Sequence, residues 1–591
     1  MATTDSKSEE FRVEPVEVID SSQHHEKTAS EQIQIPSPEA VKVKLSWKTW
    51  VVVFISCFAI TTQVFVVAAA TSVIAFIVRD IGDAPNSTWI IQGPLLMQSV
   101  LSPIVGRLSD VLDRKWMVSI PPIIAAGGAV VCALSKDMSM LIGGGILIGT
   151  TLACISIVQS IPSEVLPMKY RPLANGMAFV GGAVGSLVGK LGAGAVTNIS
   201  ASGWRYIFWM QVAFHLTTAL GFLAFYWPQR RSDYPRMTLR QMFWAIDPIG
   251  SGLFIVSTTL MLLSLNWGGS RYPWASGQVV APLTVGCVVL VLFCVYGKLE
   301  WKGRNDGIIA HVFFKGGPNF SLAIFAFAVE GWVYYSAVNA ITPQLVLNLG
   351  FENNSWDIAV RQMSYQVPIL VTSIPITWYA TRYKDLKWPL VVTFTLFLIV
   401  TILYANIRPS WANVQYVFNV LCGIGQSGPL TLIVATVQFT APHAFLSTAT
   451  GLAFTSRAIG GAFGAAVLNS IINGYLSSHY AKDVGGAAID AGLPSSSVPD
   501  LIIGIRSGNK TLLNSIEGLT DPILAEAVSA GHWTYAHAYR LAWSSIIPFT
   551  ALAIVAVAFL KEVKKLMTDR IEATVEKVDK IQEAKSVDNE V

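Results

Sequence analysis

The chain has 591 residues, of which 52% are hydrophobic and 13% charged, and its mean hydropathy is +0.52. Soluble domains carry about 25% charged residues, so this composition excludes an ordinary soluble globular protein. The net charge of +4 makes no case for a nucleic-acid partner.

Residues 1–45 are polar and acidic-leaning and have little to bury, so they are expected to form a disordered cytosolic tail. No signal peptide is recognisable there, which leaves insertion to the first apolar run. From residue 49 onward, apolar runs of about 20 residues recur, each long enough for a helix to cross a bilayer core of about 30 Å. Fourteen spans are expected, at about 49–78, 89–105, 117–135, 140–161, 174–196, 205–226, 247–266, 278–297, 319–340, 362–381, 388–406, 413–437, 447–472 and 541–560. The fold class is therefore an all-α, polytopic membrane protein. Residues 473–540 are expected as a long outer loop, and 561–591 as a cytosolic C-terminal tail.

Charge orients the spans. With the N-terminus in the cytosol, the short inner loops hold 16 Lys and Arg, against six (Arg79, Lys136, Arg205, Arg271, Arg361 and Arg408) at the short outer loops and their edges. Basic residues favour the cytosolic side, so both termini are expected there. The acceptor sequons at Asn86, Asn198, Asn353 and Asn509 all fall in outer loops and are candidate glycosylation sites. The six cysteines lie inside apolar runs and read as buried thiols.

A repeat divides the chain. At a constant offset of 275, Gly176, Ala178, Phe179, Ala183, Gly185 and Gly189 match Gly451, Ala453, Phe454, Ala458, Gly460 and Gly464, and Pro167 matches Pro442. The matched helices are the fifth and thirteenth spans. The implied organisation is a six-helix half (46–226), a linker with two inserted helices (227–318) and a second six-helix half (319–560). Parallel halves of this kind are a transporter design.

The segment GRLSDVLDRK, Gly106–Lys115, resembles the loop signature G-x-L-x-D-x-x-G-R-K of the major facilitator superfamily. Gly106, Leu108, Asp110, Arg114 and Lys115 match, and Asp113 stands where the family has glycine. The span count, the GxxxG spacing of Gly185 and Gly189, and Gly203–Gln211 resemble the fourteen-span drug:proton antiporter branch. Pro162–Gly176 and the layout are most similar to fungal trichothecene-efflux and siderophore transporters. The resemblance implies a major facilitator fold (6+2+6) and alternating access. It also implies that Asp110 gates the inner side, stabilising an outward-facing state against the cytosolic start of the thirteenth span. Two departures stand out: Lys190 follows Gly189 where the branch has proline, and Gly145 stands where many members carry an arginine in the fourth span.

Charges within spans are costly, about 2.5–3.5 kcal/mol at a helix centre, and so mark candidate functional residues. Glu330, near the middle of the ninth span, is a candidate proton carrier or a structural carboxylate paired with a basic residue. Lys190, toward the outer end of the fifth span, is a second proton-coupling candidate whose stem could instead snorkel to the surface. Arg457, near the inner end of the thirteenth span, is expected as a structural charge within reach of the cytosolic loops. Gln63, Gln159, Tyr334 and Asn339 are cavity candidates, because their helices line the cavity in the resembling family.

GSLVGK, Gly185–Lys190, is not a phosphate loop, since Val184 and Leu191 occupy positions that require Gly and Ser or Thr. Only His215 among eight histidines lies in a span, and no metal-ligand or nucleophile–base pattern is present, so no metal, cofactor or enzymatic activity is expected. The expected function is proton-coupled efflux of hydrophobic small molecules, with siderophore-iron uptake as the alternative and a polytopic membrane enzyme behind both. The expected partners are a small-molecule substrate, protons and the bilayer. The expected form is a monomer in the plasma membrane, the vacuolar membrane being the other candidate.

Overall fold

The computed structural model describes residues 45–82, 86–87, 89–197, 202–228, 238–269, 271–298, 307–352, 355–507, 510–569 and 571. The N-terminal tail, most of the C-terminal tail, and the sequons at Asn198, Asn353 and Asn509 lie outside these residues. Asn86 is described, and its side-chain oxygen accepts a hydrogen bond from Arg271 Nη1 at 3.1 Å.

The architecture is all-α. The major helices begin with α1 (Trp47–Ile81), α2 (Trp89–Val111), α3 (Arg114–Ala133) and α4 (Met138–Ala153), which continues past Cys154 as α5 (Ile155–Val165). Then come α6 (Arg171–Thr197), α7 (Arg205–Phe225), α8 (Pro248–Trp267) and α9 (Gly277–Lys298). The remainder contains α10 (Asn319–Gly331), a π-helical segment (Trp332–Ile341), α11 (Thr342–Asn348), α12 (Ser355–Tyr383), α13 (Lys387–Tyr404) and α14 (Val414–Thr440). It ends with α15 (Leu446–Asp490), α16 (Val498–Ser507), α17 (Asp521–Ser544) and α18 (Ile547–Ala558).

Among the described residues, thirteen stretches are long and apolar enough to cross a membrane. α12, with 29 residues, falls outside that set. Its length suffices, while Gln362, Ser364, Gln366, Thr372 and Ser373 make it less apolar. The thirteen fall where the sequence places spans, and α12 lies at the expected span 362–381. Local chemistry sets several starts: Asp113, Asp137 and Asp247 cap α3, α4 and α8 by accepting from Lys115 N, Met140 N and Gly250 N.

The structure reproduces the repeat. A 3₁₀ turn at Met168–Tyr170, preceded by Pro167, leads into α6. A second at His443–Phe445, preceded by Pro442, leads into α15. Both helices and both turns begin 275 residues apart. The matched glycines allow close approach. Gly185 abuts Thr61 of α1 and Gly460 abuts Ala328 of α10, each backbone to backbone; Gly189 lies against the Phe65 and Ala69 backbone of α1, and Gly464 against the Trp332 and Ser336 side chains of the π-helical segment. The matched pair Gly176 and Gly451 faces other helices: Gly176 meets the Thr377 side chain of α12, and Gly451 meets the Ser102 backbone of α2. Of the buried apolar clusters, the largest comes from 310–567 apart from Ile155, and two others come from 52–226.

One segment differs from expectation. α15 is 45 residues long and continues well past residue 472. With α16 and α17 it makes most of the expected outer loop helical.

Candidate functional site

GRLSDVLDRK joins α2 to α15. Asp110, 1% exposed near the end of α2, reaches the first turn of α15. Its Oδ2 accepts from the Thr448 backbone N–H and hydroxyl, both at 2.8 Å, and Oδ1 accepts from Ser447 N at 3.3 Å. The first N–H groups of a helix have no partner within it and carry partial positive charge, so a carboxylate there is favoured. Arg114 donates to Asp110 Oδ1 at 2.7 Å and to Ser447 Oγ at 2.9 Å, and it pairs with buried Glu164 of α5. His443 Nε2 lies 3.7 Å from the other Glu164 oxygen.

The remaining residues of the motif shape this contact. A Cβ on Gly106 would sit 2.5 Å from the Ser447 carbonyl oxygen, and one on Gly451 would sit 2.6 Å from that of Ser102. Leu108 is partly buried. Arg107 donates to Ala245 O at 3.0 Å and lies 4.5 Å above the Phe445 ring. Lys115 stacks on Trp227. Asp113, the departure from the family pattern, caps α3 from an extended conformation, φ −71°, that does not require glycine.

A second polar cluster joins α5 and α6 to α14 at the start of α6. Arg171 Nη1 donates to Gln438 O at 2.9 Å, and Asn175 Nδ2 donates to Gln438 Oε1 at 2.9 Å. Gln159 Nε2 donates to Asn175 Oδ1 at 2.7 Å. Gln159, expected to line a cavity, is thus tied into the contact with α14.

Farther along α15 is a buried ion pair. Glu330 of α10, with no exposed surface, receives Arg457 Nε at 2.5 Å and Nη2 at 2.9 Å. Gln426 of α14 also donates to Glu330. Arg457 Nη1 donates to the Tyr335 hydroxyl at 3.1 Å, and the guanidinium lies 4.7 Å from both the Tyr334 and Tyr335 rings. Arg457 therefore turns to Glu330 rather than to the loops. Close packing makes this pairing reachable, since Gly331 sits directly against the Arg457 backbone. The π segment after Glu330 carries Tyr334, Tyr335 and Asn339. Pro343 just beyond it supplies no N–H and would crowd the carbonyl four residues back in a regular helix.

The other candidates are dispersed. Gln63 donates to Thr151 O at 2.7 Å and, with His215, lines a void of about 10 Å³ within the first half. Asn339 is half-buried, and Lys190 is partly buried with no hydrogen bond or ion pair among the described residues. The described residues include no metal-ligand cluster. Glu164, Ser447, Thr448, Arg171, Asn175 and Gln438 are contact residues that the motif alone does not reveal. A signal for Glu164 exists: it is the lone carboxylate of residues 162–173, the segment read from sequence as the loop next on the same side to the one bearing Arg114 and Lys115.

The fold is a set of many apolar helices long enough to cross a membrane, with α2 tied to α15 and α6 to α14 by buried polar contacts. Residues 49–465 match the family model described as Major Facilitator Superfamily. The chain belongs to that family and is a multi-pass membrane transporter. The MFS-type transporter ucsD of Acremonium sp is 24% identical over 443 residues, covering 73% of this chain and 72% of that protein. The efflux pump FUS6 of Gibberella fujikuroi is 25% identical over 532 residues, covering 85% and 88%. Among solved structures, a double-tryptophan mutant of XylE superposes with a TM-score of 0.50 at 11% identity, covering 88% of this chain and 99% of that one.

Proposed function

We propose that the chain is a secondary active exporter of hydrophobic small molecules, driven by protons and working by alternating access between two six-helix halves. The observation that carries the proposal is the Glu330–Arg457 pair, a desolvated ion pair joining α10 to α15. Protonation of Glu330 would leave the Arg457 charge without its counter-ion and loosen that contact, which links proton binding to movement of α15. The name of the efflux pump FUS6 supports the outward direction.

The positive-inside balance places both termini in the cytosol, and with them the Asp110 contact. Asp110 then acts as a latch that holds the inner side closed, and the arrangement described above is the inward-closed state. One proton crossing about 100 mV and one pH unit supplies roughly 3.7 kcal/mol, enough for a concentration ratio of a few hundred for a neutral substrate. The plasma membrane is the expected site.

The test has two parts. A deletion strain is assayed for toxin accumulation and for siderophore-iron uptake; increased toxin accumulation supports export, and loss of iron uptake alone reverses the direction. In vesicles loaded with the compound so identified, Glu330→Gln is expected to abolish pH-driven transport while substrate still binds. Unchanged pH dependence would rule out Glu330 as the coupling group.

A further inference from the structure

A cavity of about 200 Å³ opens between the α12–α13 turn and the segment after α18. Lys384, Lys387, Lys561 and Lys564 line it, with Asp385 and Glu562 as its acidic residues. Asp385 is already engaged: its Oδ1 accepts from Lys387 N at 3.0 Å and from Trp388 N at 3.4 Å, capping α13. Lys384 donates to the neutral Met567 carbonyl at 2.8 Å, so its charge is not offset by that contact. Among the described residues, no ion pair joins any of the four lysines to a carboxylate. With four lysines against two carboxylates, the cavity lining carries a net charge of +2.

It is also a built feature. Asn319 holds the Lys561 backbone from both sides, donating to its carbonyl at 2.9 Å and accepting from its N–H at 2.7 Å. Lys384 has φ 56°, a left-handed conformation that a non-glycine residue keeps only where its surroundings enforce it. Tyr383 and Trp388 flank the turn, 56% and 62% exposed. Aromatic rings of this kind mark the membrane–water boundary, so the lysines sit at headgroup level.

We infer that this cavity binds the phosphate-bearing headgroup of an anionic phospholipid. Basic pockets between transmembrane helices on the cytosolic side recognise such headgroups, and anionic lipids are concentrated in that leaflet. The physiological source follows from the proposed orientation, whereas binding itself does not depend on it or on the transport direction.

The test uses purified full-length protein in phosphatidylcholine nanodiscs, with native mass spectrometry and thermal melting as readouts. Dioctanoyl phosphatidylinositol 4-phosphate is expected to bind and raise the melting temperature, while added dioctanoyl phosphatidylcholine does neither. Each of Lys387→Ala, Lys561→Ala and Lys564→Ala is expected to weaken binding about five-fold, equivalent to roughly 1 kcal/mol per lysine. Lys561→Arg is expected to retain binding, which separates lost charge from lost folding. Equal binding of the phosphoinositide by wild type and all three alanine variants would overturn the proposal. So would equal binding of the two lipids. Inositol phosphate or inorganic phosphate binding as tightly as the lipid would overturn the lipid assignment in favour of a soluble phosphate ligand.

Discussion

Asp110 and Thr448, 338 residues apart, are joined by two hydrogen bonds of 2.8 Å, one to the backbone N–H and one to the hydroxyl. The carboxylate at the end of α2 thereby completes the first turn of α15. Asp110→Asn keeps the shape but removes the charge from both the helix terminus and Arg114. Charge-assisted hydrogen bonds are worth about 1.5–3 kcal/mol each, so the closed state is expected to lose at least ten-fold in population. Cysteine labelling from the Asp110 side would report this as increased accessibility, together with a transport rate at least ten-fold lower. A correctly inserted variant transporting at full rate would exclude Asp110 as a latch.

Gly106→Ala tests the same contact by shape. Its Cβ would meet the Ser447 backbone at 2.5 Å, a distance that forces the helices apart. Reduced transport and increased labelling are expected, whereas Gly127→Ala, with nothing within 4 Å, should behave as wild type.

The Glu330–Arg457 pair predicts strong non-additivity. Glu330→Leu or Arg457→Met alone leaves a buried charge without its partner, which costs about 3–5 kcal/mol of stability. The double variant Glu330→Leu/Arg457→Met is expected to recover most of that loss, as melting in detergent would show. Equal melting of all four proteins would mean that the pair does not stabilise the α10–α15 contact.

At the other end of the bundle, hydrogen bonds from Arg205 and Trp204 hold the Asp80 carboxyl below the usual carboxylate range. Asp80 Oδ2 accepts from Arg205 at 2.6 Å and from Trp204 Nε1 at 2.9 Å. A lowered folded-state pKa gives stability above the unfolded pKa of about 4 that is lost as pH falls through the lower folded value. The pair is partly exposed, so its contribution is below about 1 kcal/mol. Asp80→Asn should therefore destabilise slightly and evenly from pH 5 to 8, and the difference should shrink below pH 4 in melting experiments.

Much of this was legible in the sequence because it is periodic or local. The 275-residue offset reads directly as two proline-led turns and two glycine-faced helices. Asp110 was legible through its motif. The partner of Arg457 was not: Glu330 lies 127 residues away, and no local pattern states that α10 and α15 touch there. The Gln159–Asn175 hydrogen bond was not legible for the same reason, since a polar residue in an apolar run looks the same whatever it faces. Hydropathy also ends α15 too early. A helix leaving the membrane no longer needs an apolar run, yet its backbone continues unbroken.

The repeat is also broken in an informative way. Asp385 lies at the 275 offset from Asp110, but it caps α13 of its own half instead of reaching α6. The start of α6 is held by Arg171 and Asn175 on Gln438. Two chemically different fasteners therefore occupy equivalent places, so a single charge change need not release both.

A helix of 45 residues is about 68 Å long. Its first turn is seated on Asp110, and its far end pairs with α17 beyond the apolar spans. Moving as one rod, α15 is a lever: a tilt of about 10° at Asp110 carries the Asp490 end through about 12 Å. Paired spin labels near Asp490 and near Ile81 at the end of α1 would therefore read a change at the Asp110 contact from the far end of the helix.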